Sequence, residues 1–315
     1  MEAELTKRQV LITGGAGAIG SRLAHRLVQY DCRVQIVDDL SSGRVENLPS
    51  QVEFHQCDIS GISEEIDPAM DYVIHCAAFF ANANSILFPE RDLEVNGLGT
   101  LRLMQWVRKS NTVKGIVYLS SSCVYGAQSG QMREETVGEF DTPYVITKYL
   151  GERYCRYFYC QYRLPVVIVR LFNSYGPGEF PGRFRNVVPN FMAKAMAGHP
   201  LSITGTGNET RDYTYVEDIV DGILSALVSR YHGEVFNLGT GIETPIRRVA
   251  ETINAVTGNR AGITYLPKRE WDHISARCAC IEKARKALGF QPKTALEDGI
   301  GRTYDWFRTW WKDDC

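Results

Sequence analysis

The run Val10-Leu-Ile-Thr-Gly-Gly-Ala-Gly-Ala-Ile-Gly-Ser-Arg-Leu-Ala-His-Arg-Leu27 leaves this chain few folds to adopt. It opens on a short apolar stretch, Val10 to Ile12, of the length and composition of a buried strand. A glycine-rich turn follows. Beyond it Ile19, Leu23, Ala24 and Leu27 recur at the spacing of one helix face. Gly14, Gly17 and Gly20 stand three residues apart within that turn. The first suits a tight turn, the second lets a pyrophosphate reach the backbone, and the third lets helix and strand pack closely. The helix start then presents free N–H groups and partial positive charge to phosphates.

A second strand, Arg33 to Val37, runs into Asp38-Asp39. An acidic residue about 20 positions past the glycines sits where an adenosine ribose offers its hydroxyls. A carboxylate there repels a 2′-phosphate, so NAD is expected over NADP, a preference that the nearby Arg44 weakens.

Val52 to Asp58, Tyr72 to Ala78, Gly115 to Ser122 and Pro165 to Arg170 read as four further strands. Helical patterns over Val95–Arg108 and Tyr144–Tyr162 fall between them. This alternation predicts an α/β chain with a Rossmann-type, doubly wound parallel sheet, whose ligands bind beyond the carboxyl ends of the strands. After Asn173 the character changes. A turn-rich stretch from Tyr175 to Asn186 precedes a helix over Val188–Ala197, a short strand near Leu201 and a second turn-rich loop, Gly205 to Tyr213. A helix over Val216–Val228, a strand over Val235–Leu238 and a helix over Ile246–Val256 follow. The expected division is a dinucleotide domain over 1–173 and a smaller C-terminal α/β substrate-binding region over 174–315, with segments such as 214–240 packing back on the first. Trp306 to Trp311 is expected as a helix on the cap.

Composition narrows the class. With 44% hydrophobic and 23% charged residues and a net charge of −2, the chain reads as a globular protein with no nucleic-acid or membrane-surface partner. No apolar run approaches membrane-spanning length. Met1 to Gln9 is polar without a signal core, and the 9 cysteines are scattered, so reduced thiols and a cytoplasmic location are expected. Cys278 and Cys280 are read as facing apart on a strand, a poor clamp, and no metal site is expected.

Tyr144 and Lys148 stand four apart at a helix start, hence on one face. A lysine cation near a phenol is expected to lower its pKa from about 10 towards working pH, giving a general base for a hydroxyl. Ser121 is the candidate for the hydroxyl that bonds the reacting oxygen. Ser120 and Ser122 are its blander neighbours, and only one or two of the three can face the cofactor, because alternate strand residues face opposite ways.

These motifs together resemble the extended short-chain dehydrogenase/reductases, specifically the NAD-dependent nucleotide-sugar epimerase/dehydratase family, in its UDP-glucose 4-epimerase-like branch. The matching segments are Thr13 to Gly20, Asp38 to Gly43, Cys57-Asp58-Ile59, His75 to Ala78, Val95 to Thr100 and Ser120 to Gly126. Tyr144-x-x-x-Lys148, Arg170 to Gly178 and Gly205-x-Gly-x-x-x-Arg211-Asp-Tyr continue the series, in the family's order over nearly the whole chain. The resemblance implies that Gly14, Gly17, Ala18, Ile19 and Gly20 hold the pyrophosphate of NAD. It gives Asp38, with Asp39 and Ser42, the ribose side, and Asp58 with Ile59 the adenine. Ala77 and Ala78 line the groove with Asn96 nearby, while Tyr144 and Lys148 reach the nicotinamide ribose. For a nucleotide-sugar substrate it implies Ser122, Asn173, Asn186 with Val187, Arg211 on a phosphate, and Arg269 and Asp272 over the nucleotide. A homodimer built through the helices from Val95 and Tyr144, rich in Tyr154, Tyr157, Phe158 and Tyr159, is also implied.

The implied reaction is C4 epimerisation of a UDP-hexose or UDP-hexuronate through a transient 4-keto sugar. Two departures bear on it. Relatives that eliminate water or carbon dioxide carry a carboxyl residue directly after the catalytic hydroxyl, where this chain has Ser122-Cys123. Phe79-Phe80 replaces polar residues, with Asn82 or Asn84 available to compensate. A 4,6-dehydratase or UDP-glucuronate decarboxylase using Glu134, Glu135 or Glu179 is the alternative within the family. A non-catalytic NAD(H)-binding regulatory protein is the alternative outside it, and the intact Ser121, Tyr144 and Lys148 argue against that.

Overall fold

A computed structural model describes residues 1–62, 66, 69–128, 130–268 and 274–310. Seven parallel strands form the main sheet. They are β1 (Gln9–Thr13), β2 (Arg33–Asp38), β3 (Glu53–Gln56), β4 (Tyr72–His75), β5 (Gly115–Ser121), β6 (Val166–Leu171) and β7 (Val235–Leu238). Their order is β7-β6-β5-β4-β1-β2-β3, the doubly wound arrangement with its switch point between β1 and β4. Val10 and Ile12 of β1 face one core cluster and Leu11 the other. Both faces of the sheet are therefore covered, which is why the strands read as unbroken apolar runs rather than as alternation.

Helix α1 (Ala18–Gln29) covers one face, while α2 (Thr100–Val107) and α3 (Pro143–Tyr162) cover the other. In α3 the residues Tyr144, Lys148, Gly151, Cys155 and Phe158 form the buried stripe, at helical spacing. Pro143 starts the helix, and Arg163 in a left-handed conformation ends it just before Pro165. Gly151 has a packing reason: a Cβ there would come within 2.1 Å of the Tyr118 hydroxyl on β5.

Among the boundaries that differ from expectation, three have a visible local cause. The third strand stops at Gln56 because Asp58 caps a short turn, its carboxylate accepting from the Ser60 amide at 2.7 Å. The fifth stops at Ser121, whose hydroxyl accepts from the Cys123 amide at 3.1 Å and caps the turn Ser122–Tyr125. The helix expected over Val95–Arg108 begins as a wide π-helical stretch, Leu93–Gly99. There the Thr100 hydroxyl donates to the Asn96 carbonyl at 2.6 Å, satisfying a group that the widened turn frees.

Beyond β6 the chain crosses to a second core and returns. Helix α4 (Val187–Met196) leads away, and α5 (Val216–Leu227) comes back to pack on α1, with Arg22 and Arg26 paired to Glu217 at 2.6 and 2.7 Å. β7 then adds to the sheet beside β6. α4, α6 (Ile246–Thr257) and α7 (Leu296–Trp310) enclose the second core, which includes Val188, Met192, Ile253 and Phe307. Trp306, in α7, packs against Phe180 at 5.1 Å.

The loop expected from Gly205 to Tyr213 contains a strand, Thr210–Arg211, held in register between Thr244–Pro245 and Ala276–Ala279. Residues two apart on a strand share a face, so the reading of Cys278 and Cys280 as facing apart needs correcting. What separates them is that the strand ends at Ala279. Among the described residues, no helix is long and apolar enough to cross a membrane, and no three His, Cys, Asp or Glu side chains converge as a metal set.

Candidate active site

A cavity of about 510 Å³ opens beyond the carboxyl ends of β1, β2, β4, β5 and β6. Its floor is the glycine turn. Gly14 has φ +69°, a left-handed conformation, and a Cβ there would lie 2.5 Å from the Ala77 amide. A Cβ on Gly20 would lie 2.3 Å from the Gly14 carbonyl, so α1 approaches the turn as only glycine permits. At Gly17 a Cβ would meet, among the described residues, that same carbonyl at 3.3 Å, and Gly17 faces the cavity. Gly17 starts α1 without a side-chain cap, leaving amides for an anion.

At the end of β2, Asp38 is buried, and its carboxylate accepts from the Ala16 and Leu40 amides at 2.9 and 2.8 Å. Burial nonetheless pushes its pKa upward. Asp39, Ser42, Asp58 and Ile59 continue this wall, as do Ala18, Ile19, Ala77 and Ala78. An unforeseen residue ties the wall together. Arg91 pairs with Asp58, with Asp39 at 3.2 Å and with Glu94 at 2.7 Å, and the contacts of Asp58 with Ser60 and Arg91 hold its carboxyl below its ordinary value despite burial. Only the Arg91–Glu94 spacing is visible in the sequence, because the two aspartates lie far away along the chain. These residues fit a dinucleotide: a glycine cradle for the diphosphate and a carboxylate for the ribose.

Asn96 does not line the cavity. It is buried behind the wall, accepting from the Phe79 amide at 2.8 Å and donating to the Phe79 carbonyl and to Asp92. It therefore positions Phe79 and makes no groove contact of its own. Phe80 meets the Tyr144 ring edge-on at 5.9 Å. Asn84 is spent on the Phe80 carbonyl, whereas Asn82 lines the cavity and contacts Cys123.

At the head of α3, Tyr144 and Lys148 are buried and both line the cavity. Ser121 lines the same cavity, and its hydroxyl favours the ionised form of the Tyr144 phenol. The Ser120 hydroxyl turns to Glu152 at 2.5 Å. Ser122 stays buried at the cavity edge.

The expected depression of the phenol is not present. Burial raises the Tyr144 pKa, and the Ser121 contact only partly opposes this. The Lys148 ammonium lies over the Tyr118 ring, 4.6 Å from its centroid, and burial brings its own pKa down to about 8. Its neighbour His75 bridges Thr13 and Thr100 at 2.7 and 2.9 Å and is lowered to about 3 by burial, so it is neutral.

The far side of the cavity carries Asn173, Asn186, Val187 and Arg211, brought together from the short strand Asn173–Tyr175, the start of α4 and the strand Thr210–Arg211. Arg269 and Asp272 lie outside the described residues. Of the three alternative acids, Glu134 is buried away from the cavity, accepting from the Asn237 amide at 2.9 Å, and Glu135 is exposed. Glu179 does line it. Its carboxylate accepts from the Asn186 side chain at 2.9 Å, and burial raises its pKa to about 7. Arg277, absent from every sequence expectation, also lines the cavity. Nothing local marked it, since pairing of distant strands brings it there.

The sheet and its cavity define a dinucleotide-binding α/β protein with a tyrosine–lysine–serine cluster beside the cofactor groove. A sequence profile of the NAD dependent epimerase/dehydratase family matches residues 10–239, and the chain belongs to that family, whose cofactor is NAD. It is 34% identical to a UDP-glucose 4-epimerase of Mycolicibacterium smegmatis over 95% of this chain and 98% of that one. It is 31% identical to a UDP-N-acetyl-alpha-D-glucosaminuronate decarboxylase of Bacillus cytotoxicus, over 96% and 98%. The solved structure of an epimerase from Methanothermobacter thermautotrophicus superposes with a TM-score of 0.94 at 42% identity, covering 98% of this chain and 94% of that one.

Proposed function

We propose that this protein is a nucleotide-sugar C4-epimerase using NAD that stays bound. The observation that carries the reading is the convergence of Ser121, Tyr144 and Lys148 on one cavity beside the glycine cradle, with Ser122-Cys123 where an eliminating enzyme needs a carboxyl group. Bound NAD supplies reversible hydride acceptance at the sugar's C4, which inverts that centre through a 4-keto sugar, and a ring charge that offsets burial of a phenolate.

The remaining work falls to the chain. Tyr144 takes the C4 hydroxyl proton and returns it, which suits a phenol that starts neutral. Ser121 orients that oxygen, and Lys148 keeps positive charge beside the nicotinamide ribose. Arg211 grips a substrate phosphate, with Asn173, Asn186 and Val187 on the nucleotide. Similarity to a UDP-glucose 4-epimerase supports the substrate class, and the decarboxylase relative marks the competing outcome.

Incubating the protein with a panel of UDP-sugars and no added cofactor tests the reading. A product of unchanged mass supports it, and a product lighter by water or carbon dioxide overturns it. Tyr144→Phe is expected to lose about a hundredfold to ten-thousandfold in kcat with KM little altered.

A homodimer is part of the proposal. Leu93, Leu98, Ile146, Tyr157 and Tyr162 are exposed on the π-helical stretch and α3, an apolar surface of the kind that pairs between subunits, while Phe158 is spent on the core. Light scattering at the mass of a single chain would remove it.

A further inference from the structure

Glu179 is 6% exposed, yet it lines the cavity. Among the described residues no cation lies within 4 Å of its carboxylate, to which the Asn186 side chain donates at 2.9 Å. The chain on either side fixes it there. The Gly178 carbonyl accepts from the Asn47 side chain at 3.2 Å. Gly178 also packs on the first turn of α1, where a Cβ would lie 3.1 Å from the Ser21 hydroxyl. Phe180 is held between the Arg44 guanidinium, 3.9 Å from its ring centroid, and Trp306. The carboxyl therefore has the cavity, rather than bulk water, to face.

A buried carboxylate needs a cation, and those on the surrounding elements are engaged elsewhere. Arg22 and Arg26 of α1 are paired with Glu217, and Lys194 of α4 reaches the Ser202 hydroxyl at 3.0 Å. Arg302 and Arg308 of α7 lie over tyrosine rings. Arg185, on the same segment as Glu179, gives a hydrogen bond to the Ser42 carbonyl at 2.7 Å. Burial outweighs the charge of Arg185 and the contacts with Asn186, and brings the carboxyl up to about 7. Other acids of the cavity differ: Asp38 is held by two amides, and Asp39 and Asp58 share Arg91.

The ligands of such a cavity are anions. The glycine cradle takes one diphosphate, and a nucleotide sugar brings a second. A carboxylate beside them is repelled, whereas a carboxylic acid is not and offers an O–H to a phosphate oxygen. We propose that Glu179 meets the substrate as a carboxylic acid and donates a hydrogen bond to its diphosphate, so that nucleotide sugar and proton bind together. The proton comes from solvent and stays on Glu179, and no bond of the ligand breaks. The proposal rests on the nucleotide-sugar reading of the cavity and adds a pH linkage through one residue.

Titration calorimetry of the NAD-loaded protein with UDP-glucose, in buffers of different ionisation enthalpy, counts the protons taken up. The diphosphate of UDP-glucose neither gains nor loses a proton near neutral pH, so the count belongs to the protein. Uptake is expected to be about half a proton or more at about pH 8, and close to none at about pH 6, where the free protein already holds the proton. Affinity is expected to be level up to about pH 7 and to fall by up to about tenfold per pH unit above it. Glu179→Gln still accepts from Asn186 but does not titrate. It is expected to abolish the uptake and to bind at about pH 8 at least as tightly as the wild type, whereas structural damage would weaken binding at every pH. Wild-type binding without uptake overturns the proposal. So does uptake that persists in Glu179→Gln, which would put the proton on another group such as Lys148. Absence of any binding heat with UDP-glucose or UDP-glucuronate overturns the nucleotide-sugar reading itself, and the proposal with it.

Discussion

Burial acts on Tyr144, Lys148 and Glu179 in ways that charge pairing alone does not anticipate. Lys148 is lowered to about 8 and Glu179 raised to about 7, each towards its neutral form. For Glu179 the folded state binds more protons than the unfolded between the ordinary 4.5 and about 7. Its contribution to stability therefore falls as pH rises through that window, and the cost is fully present above it. Glu179→Gln can still accept from Asn186 and removes the charge. Its Tm is expected to match the wild type near the lower end of the window and exceed it by on the order of several degrees above the upper end, by calorimetry at matched ionic strength. An equal Tm difference at both ends would show that Glu179 does not titrate there.

Elements hold the site through one buried ion pair. Glu152 of α3 and Arg170 of β6 make two hydrogen bonds of 2.9 Å, with side chains 4% and 3% exposed, and Ser120 of β5 donates to the same carboxylate. Removing Glu152 strands a buried guanidinium. Glu152→Ala is expected to cost about 3–5 kcal/mol in denaturant unfolding, and a smaller loss would mean water reaches Arg170. At this scale the sequence was legible wherever a local pattern carried the information. Apolar runs marked the six earlier strands of the sheet and also β7, and the Tyr144–Lys148 spacing marked the face of α3. Arg91, Arg277 and the strand Thr210–Arg211 were illegible for a shared reason. Each acquires its place from partners dozens of residues away, and no periodicity records such pairing. For Asn96 the motif was visible, but the bonds of its amide to the backbone of Phe79 were not.

In the whole molecule, chain from beyond residue 173 completes the main sheet. β6 ends at Leu171, and its outer neighbour β7 and the covering helix α5 come from beyond that point. Residues 1–173 alone would carry an open strand edge and the apolar faces of Val167 and Val169 without Ile223 and Leu227. That fragment is expected in the insoluble fraction, and a soluble fragment with a cooperative melt would contradict the dependence. The same feature sets a condition on biosynthesis. During translation the edge of β6 waits for roughly 70 further residues, several seconds at ordinary rates of chain elongation, before β7 leaves the ribosome. Through that interval the nascent chain displays a parallel, apolar edge, so it is then, rather than after release, that the protein most needs a chaperone.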